Sequence, residues 1–559
     1  MSTTKKLTAT ALVIAVVGSI GYVNRYPILL KFMEVAAPIV KPDIAPTREI
    51  AWETGNDPLN RNVDDRPPNV VLILADDLGW NDITLNGGVA NGTVPTPSID
   101  SIAQQGVNFV NGYAANATCA PSRAAILSGR YPTRFGFEFT PTPPGMMQMA
   151  GLGAQKMHPD RPRSIKHVPE SELDYEESGM PTGEITIAEA LTKQGYHSVH
   201  IGKWHVGLKH GMGPLQQGFN ESLLMSDMLY LEEEHPDVVN ARLAFDPIDR
   251  FLWSLAGFSS SVDGGKTVFR PARYLTDYYT DEAVKVIEAN RERPFFLYLA
   301  HWAVHTPLQA LREDYEKLHH IELHRERVYA AMVMSLERSV ARVLQALEDN
   351  GLSENTIVIF TSDNGGAPYI GLPDINAPYR GWKLSFFEGG IHVPFMVKWP
   401  GKIPAGTNYN EPVQHFDLFS TIVKAAGGKL PADRKVDGVD LLPFVLGKRS
   451  GAPHDALFFN SGASQSVIAN GWKLNVSAPD GHPALHRYWL FNLADDPTEQ
   501  HDLSAQHPDK IEELKTALAQ HNAEQPPPSW SAVRSSPVSI DKDLNEPYEV
   551  GDEQVYWSN

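Results

Sequence analysis

The 559-residue chain predicts an α/β fold: a large, mostly parallel sheet sandwiched by helices, with a smaller C-terminal antiparallel sheet plus one helix. Three observations predict it. Continuous apolar runs alternate with helical patterns from residue 69 to about 361, as strands buried on both faces must when helices connect them. Charged or amide residues follow four of those runs at once, and open parallel sheets bind ligands beyond the carboxyl ends of their strands. Past residue 451 the texture changes to short strands parted by turn residues, the mark of an antiparallel unit.

The elements follow in order. Lys5 and Lys6 precede an uncharged stretch, residues 7–23, and a second apolar run lies at 26–30. Positive charge before such a stretch marks residues 1–40 as a signal or membrane anchor, uncleaved or late-cleaved. It implies export, to the periplasmic or extracellular face. Residues 41–68, rich in Pro, Asp, Asn and Arg, read as a linker. The main domain spans 69–450. Its strands are N-V-V-L-I-L-A (69–75), Y-H-S-V-H-I-G (196–202), P-F-F-L-Y-L-A (294–300) and T-I-V-I-F-T (356–361). Its helices are expected at 97–105, 185–195, 280–290 and 324–349, the second ending at a glycine. An antiparallel subdomain at 451–524 closes with a helix at 508–522. Residues 525–559 open with Pro526, Pro527 and Pro528 and read as an extended surface tail.

Net charge is −19 with a pI near 5.5. A general nucleic-acid binder needs a basic surface, so that class is excluded. An anionic substrate is not, because a local basic cluster reverses the field inside a cleft. The single cysteine, Cys119, rules out an intrachain disulfide framework.

The strand ends carry the chemistry. Asp76 and Asp77 follow the first run, Lys203 and His205 the second, His301 and His305 the third, Asp363 and Asn364 the fourth. Singly, each is most often a turn, a solvated strand end or a structural histidine; together they converge on one sheet edge. Asp76, Asp77, Asp363 and Asn364 offer only oxygen, which suits Ca²⁺ or Mg²⁺ rather than zinc. Lys203 and His205 are two apart, so in an extended segment they share a face and can hold an anion and move a proton. Cys119 is the second residue of T-C-A-P-S-R-A-A-I-L-S, with Pro121 in the first helical turn and Arg123 one turn on. A lone cysteine is by default a small buried apolar residue. A helix N-terminus favours anions and fits a thiolate nucleophile or a modified cysteine better.

The stretch C-x-P-S-R, followed by L-S-G-R-Y-P-T-R (127–134), resembles the signature of type I sulfatases, in the alkaline phosphatase-like superfamily. The resemblance runs from about Asn69 to about Leu503. It takes in A-D-D-L-G-W, G-K-W-H-V-G (202–207), S-D-N-G-G, G-W-K-L-S-F-F-E-G-G-I-H-V-P (381–394) and W-L-F-N-L-A-D-D-P-T-E-Q-H-D-L. It implies hydrolysis of an organic sulfate monoester to alcohol and sulfate. Cys119 would be oxidised to formylglycine by a separate maturation enzyme, and its hydrate would attack sulfur. Asp76, Asp77, Asp363, Asn364 and the formylglycine at 119 match the ligands of a Ca²⁺ ion, with Mg²⁺ the alternative. Arg123 matches the residue that stabilises the hydrate, Lys203 and Lys383 the sulfate clamp, His205 the base for sulfate release. His305 matches the histidine beside the leaving oxygen, which it or Lys383 would protonate. Position 392 is His where many relatives have Arg. Segments 136–183, with Met146, Met147 and Met149, and 208–275, with F-D-P-I-D-R-F-L-W-S-L, read as insertions: loop packing, a dimer contact or a substrate-selecting lid. Two other readings stand: a formylglycine-dependent phosphonate or phosphodiester hydrolase, and a membrane-tethered binding protein whose cysteine is never matured.

Overall fold

The computed structural model describes residues 44–142, 144–167 and 177–559, so the expected anchor over 1–40 lies outside the described residues. Among the described residues no helix is long and apolar enough to cross a membrane.

Ten strands form the main sheet, in the order Thr407–Tyr409, Val107–Phe109, Phe395–Lys398, Thr356–Ser362, Asn69–Ala75, Phe295–Ala300, His197–Gly202, Glu221–Met225, Ser260–Val262 and Thr267–Phe269. The five strands from Thr356–Ser362 to Glu221–Met225 run parallel. Antiparallel pairings flank this block on both sides. Asn69–Ala75, Phe295–Ala300 and Thr356–Ser362 are buried at every position, because helices cover both faces. Side chains alternate as the pleat demands. Val71, Ile73, Leu297, Leu299 and Phe360 face one core with helices Leu275–Ala289 and His324–Asp349. Val70, Leu72, Leu74, Phe296 and Ile359 face the other, with helices Cys119–Ser128 and Asp417–Ala425. The helix expected at 185–195 is shorter, Ile187–Thr192. Its start is fixed by a reciprocal cap in which Glu189 N donates to Thr186 Oγ1 at 3.1 Å and Thr186 N donates to Glu189 Oε2 at 2.8 Å.

The second unit is a four-stranded antiparallel meander, Ala456–Ser461, Ser464–Ala469, Trp472–Ser477 and Arg487–Asn492. Asn470 and Gly471, at φ +52° and +77°, turn the middle hairpin, the pair that a two-residue turn of this hand requires. Helix Pro508–Ala523 seats Leu514 and Leu518 on Val467, Leu474 and Leu490.

Three expectations need correction. The stretch read as a linker, 41–68, is held down where it is described. Trp52 Nε1 donates to Glu282 at 2.8 Å, Arg293 pairs with Glu53 at 3.0 Å, and Ala45 bridges Phe269. The stretch read as an extended surface tail, 525–559, is folded. Arg534–Ser539 pairs with Gln554–Ser558 on one edge and with Ile165–Lys166 on the other, and Val538, Ile540, Val555 and Trp557 are buried against Phe386. A proline triplet starts that segment, but apolar residues at every second position finish it, and they find a core. Segment 208–275 is no mere insertion, since it supplies Glu221–Met225, Ser260–Val262 and Thr267–Phe269 to the main sheet.

Candidate active site

Five chain segments meet at the carboxyl edge of the parallel strands. Asp76 and Asp77 leave Asn69–Ala75, Lys203 leaves His197–Gly202, and Asp363 and Asn364 leave Thr356–Ser362. Cys119 opens helix Cys119–Ser128, with Thr118 extended before it, and a loop brings in Lys383. Asp77 sits at φ +59°, His205 at +61° and Leu384, beside Lys383, at +71°. Non-glycine residues held in this region gather at sites where the surrounding fold overrides local preference.

Cys119 is buried at 3% exposure. Its Sγ lies 3.4 Å from Asp76 Oδ1 and 3.8 Å from Asp77 Oδ1, and Lys383 Nζ lies 3.3 Å away. Lys383 also donates to both oxygens of Asp77, at 2.6 and 2.9 Å. Lys203 pairs with Asp76 at 2.6 Å. Arg123, fully buried, joins Asp76 at 3.2 Å to Asp363 at 2.7 Å and donates to the Lys203 carbonyl at 3.0 Å. His305 Nε2 lies 3.5 Å from Asp77 Oδ2. Its Nδ1 donates to the Thr306 carbonyl at 2.6 Å, which leaves Nε2 free to accept.

Burial and charge set the ionisation. Burial pushes the Cys119 thiol well up, aided by Asp363 and opposed by Lys203 and Lys383. An unmodified thiol here is therefore protonated and a poor nucleophile. Burial would also raise Asp77, but Lys383, His305 and Lys203 outweigh it and hold the carboxylate low. Burial lowers His305 to about 3, Asp77 opposing and the two lysines adding. His205 is lowered by burial and then by Lys203, Arg123 and Lys383. Both imidazoles are thus neutral, able to accept a proton.

The residues fit a hard cation. Single donor atoms of Asp76, Asp77, Cys119 and His305 lie within 4.8 Å of one another. Asn364 Nδ2 donates to Asp77 at 2.7 Å while its Oδ1 is buried with no partner. A buried, unpartnered amide oxygen beside three carboxylates is the arrangement an oxygen-ligated cation satisfies. Asp363 reaches this group through Arg123 and through Asp77 N, which donates to it at 3.3 Å.

Lys203 and His205 face the site for a different reason from the one expected. The strand ends at Gly202 and His205 has a left-handed backbone, so the two do not share an extended segment; His205 is near enough to Lys203, Arg123 and Lys383 for their charges to act on it. His301 points away and bonds Ser339 on helix His324–Asp349 at 2.9 Å. His392 contacts Glu388 and the Val110 carbonyl, each at 2.7 Å, so it braces a loop. Sequence reasoning missed two residues. Tyr369 donates to Asp77 Oδ2 at 2.9 Å. His415 lies against helix Cys119–Ser128, bonded to Ser122 at 3.1 Å and Thr361 at 3.0 Å. No pattern flagged them: Tyr369 lies in the short turn Pro368–Ile370, and His415 follows Val413–Gln414, a strand of two residues that shows no period.

The sequence family described as Sulfatase matches residues 68–428, and the family N-sulphoglucosamine sulphohydrolase, C-terminal, matches 381–524. The N-acetylgalactosamine-6-sulfatase of Mus musculus is 34% identical over 68% of this chain and 66% of its own length. The match thus spans just under two thirds of that relative. The steryl-sulfatase of Mus musculus is 32% identical over 75% of this chain and 72% of its own. The crystal structure of Ps i-CgsB superposes with a TM-score of 0.67 at 28% identity, over 83% of this chain and 95% of that one. With the family match covering well over half of its length, the chain belongs to the sulfatase family.

Proposed function

We propose that this protein hydrolyses an organic sulfate monoester to an alcohol and inorganic sulfate, with residue 119 matured to formylglycine. One observation carries the reading. The only cysteine begins a buried helix within reach of Lys383, Asp76 and Asp77, yet its thiol is held protonated. That setting suits a thiol only as a precursor, and Sγ marks where a hydroxyl of the aldehyde hydrate would lie. The hydrate would supply an oxygen nucleophile with a second hydroxyl for sulfate release. Asp76, Asp77, Asp363 and Asn364 would hold the divalent cation, Ca²⁺ or Mg²⁺, which would neutralise sulfate oxygens.

The remaining steps belong to the chain's own side chains. Lys203 and Lys383 clamp the sulfate, and Arg123 fixes Asp76 and Asp363 while facing residue 119. Lys383, as an ammonium, protonates the departing alkoxide, and neutral His305 accepts the resulting alcohol O–H at Nε2. Neutral His205 takes the proton that sulfate release frees. The same reading takes Lys5, Lys6 and the apolar stretch 7–23 as an export signal or anchor.

The test is a digest of the protein co-expressed with a maturation enzyme, weighing the peptide that ends at Arg123. An aldehyde at 119, with p-nitrophenyl sulfate cleaved faster than bis-p-nitrophenyl phosphate, bears the proposal out. A persistent thiol, or faster diester cleavage, refutes it.

A further inference from the structure

Trp302 touches two of the site's side chains at once. Lys203 Nζ stands 4.7 Å from the centroid of its ring, and the His305 ring stacks on it at 3.9 Å with 26° between the planes. The two partners come from different strands, Lys203 from the end of His197–Gly202 and His305 from beyond Phe295–Ala300. Their tasks in the proposed reaction differ as well. One meets the sulfate and the other the departing oxygen.

The indole itself is fixed. Trp302 is 5% exposed, and its Nε1 donates to the Met228 carbonyl at 2.8 Å. The Tyr230 hydroxyl lies 2.8 Å from both the Trp302 and the His305 carbonyls. The turn that carries the ring is tied to the neighbouring strand end: Val304 N donates to the Asp76 carbonyl at 2.9 Å, and Asp76 N to the Ala303 carbonyl at 3.0 Å. Met228 and Tyr230 both belong to segment 208–275, so that segment braces the ring from behind.

Lys203 and His305 need such a support. A lysine has a long flexible stem, and holding it in one place costs rotamer freedom. Asp76 fixes the ammonium at one point, 2.6 Å away, and the indole face attracts the same charge from another side. In His305 the Nδ1 bond to the Thr306 carbonyl holds one edge of the ring. The stack holds its plane and leaves Nε2 3.5 Å from Asp77 Oδ2. An aliphatic residue at 302 would fill the space but draw in neither partner.

We infer that Trp302 is a positioning residue whose indole face sets Lys203 toward the sulfate and His305 toward the departing oxygen. The inference rests on the reading of the site as a sulfate-ester hydrolase. It implies a loss in two parts when the ring is removed. A loosened Lys203 weakens every sulfate ester alike. A loosened His305 harms chiefly esters whose alcohol leaves badly, because a good leaving group departs as an anion with little help at its oxygen.

The test is kcat/KM for p-nitrophenyl sulfate and for phenyl sulfate, the poorer leaving group, on matured wild type, Trp302→Leu, Trp302→Met and Trp302→Phe. The Leu and Met variants lose about tenfold on p-nitrophenyl sulfate and about a hundredfold on phenyl sulfate. Trp302→Phe keeps an aromatic face and stays within about threefold of wild type on both. In a His305→Ala background the extra loss on phenyl sulfate disappears, because the imidazole through which it acts is gone. Equal losses on the two esters overturn the inference, as does an extra loss that persists without His305. A Phe variant as damaged as the Leu variant also overturns it, since that marks the indole N–H and core packing. If neither the Leu nor the Met variant shows a folded melting transition, the ring is structural and the inference falls. Absence of turnover by the matured wild type would sink the hydrolase reading, whereas turnover with evenly spread losses removes only the role of Trp302.

Discussion

Lys473 is fully buried in the C-terminal meander, with its Nζ 2.6 Å from Glu388 and 3.0 Å from Glu499. Glu388 also takes the Tyr113 hydroxyl at 3.0 Å and His392 at 2.7 Å, and Glu499 takes the Glu388 backbone N–H at 2.5 Å and Asn475 at 2.9 Å. One cation thus serves two buried carboxylates at the start of the Glu388–Ile391 turn, five residues after Lys383. Lys473→Met strands both. Removing one partner of a buried pair costs about 3–5 kcal/mol, and two stranded acids argue for the upper end. The pH dependence follows from the acids. Burial would raise Glu388, but Lys473 and His392 hold it at about 2, so its contribution is present above its unfolded value and is lost as pH falls toward 2. Burial raises Glu499 to about 7 against the pull of Lys473, so it opposes folding increasingly as pH rises from its unfolded value through 7. Without Lys473 both acids rise further. The variant's deficit is therefore greatest above neutrality and shrinks in acid, where protonation relieves it. Chemical denaturation at pH 5.5 and 8.5 reads this directly, and hydrogen exchange at 383–390 shows whether the turn loosens. A deficit under about 1 kcal/mol, or an equal one at both pH values, would refute the argument.

On the proposed reading Cys119→Ala removes the residue that becomes formylglycine, so turnover of p-nitrophenyl sulfate falls by about 10³ or more while the fold is kept; the assay is steady-state hydrolysis on the co-expressed protein. Asn364→Ala removes the unpartnered buried oxygen, so metal content by elemental analysis drops before melting temperature does, and excess Ca²⁺ restores activity in part. Tyr369→Phe frees one oxygen of Asp77 and costs about 1 kcal/mol of transition-state stabilisation, read as kcat/KM. Asp246 is raised to about 8 by burial, with one oxygen unpartnered. Its folded form keeps a proton that the unfolded form gives up, so stability falls between about pH 4 and 8 by up to about 1.4 kcal/mol per unit. Asp246→Asn flattens that slope in denaturation curves taken across the range.

The parallel block was legible because its strands are buried on both faces, which writes an unbroken apolar run such as Asn69–Ala75. Helix His324–Asp349 was legible to the residue because apolar side chains recur along one face for seven turns. The edge strands were not: Ser260–Val262 and Thr267–Phe269 are three residues each, too short for any period to show. The closing segment misled because three prolines suggest extension, while Arg534–Ser539 pairs with Gln554–Ser558 and, on its other edge, with Ile165–Lys166, more than 360 residues away. In the site, the residues at strand ends were readable because topology delivers them. Tyr369 arrives on a single short turn and His415 at the end of a two-residue strand, Val413–Gln414, neither long enough to leave a signature in sequence.

The charge arrangement explains why an acidic chain can handle an anion. Asp76, Asp77 and Asp363 face Arg123, Lys203 and Lys383, so the buried side chains balance before any ligand is counted. The two histidines add no charge, being held neutral by burial and by those same cations. Binding of a divalent cation by the carboxylates would then leave the site positive, and Lys203 and Lys383 would be freed to meet the substrate oxygens. The chain's net charge of −19 does not set the field this far in, because solvent and salt screen exposed charges over about 10 Å. A neutralising change such as Asp77→Asn is therefore not a route to tighter sulfate binding. It would release Lys383 but remove a metal ligand, and with it the excess positive charge on which the anion depends.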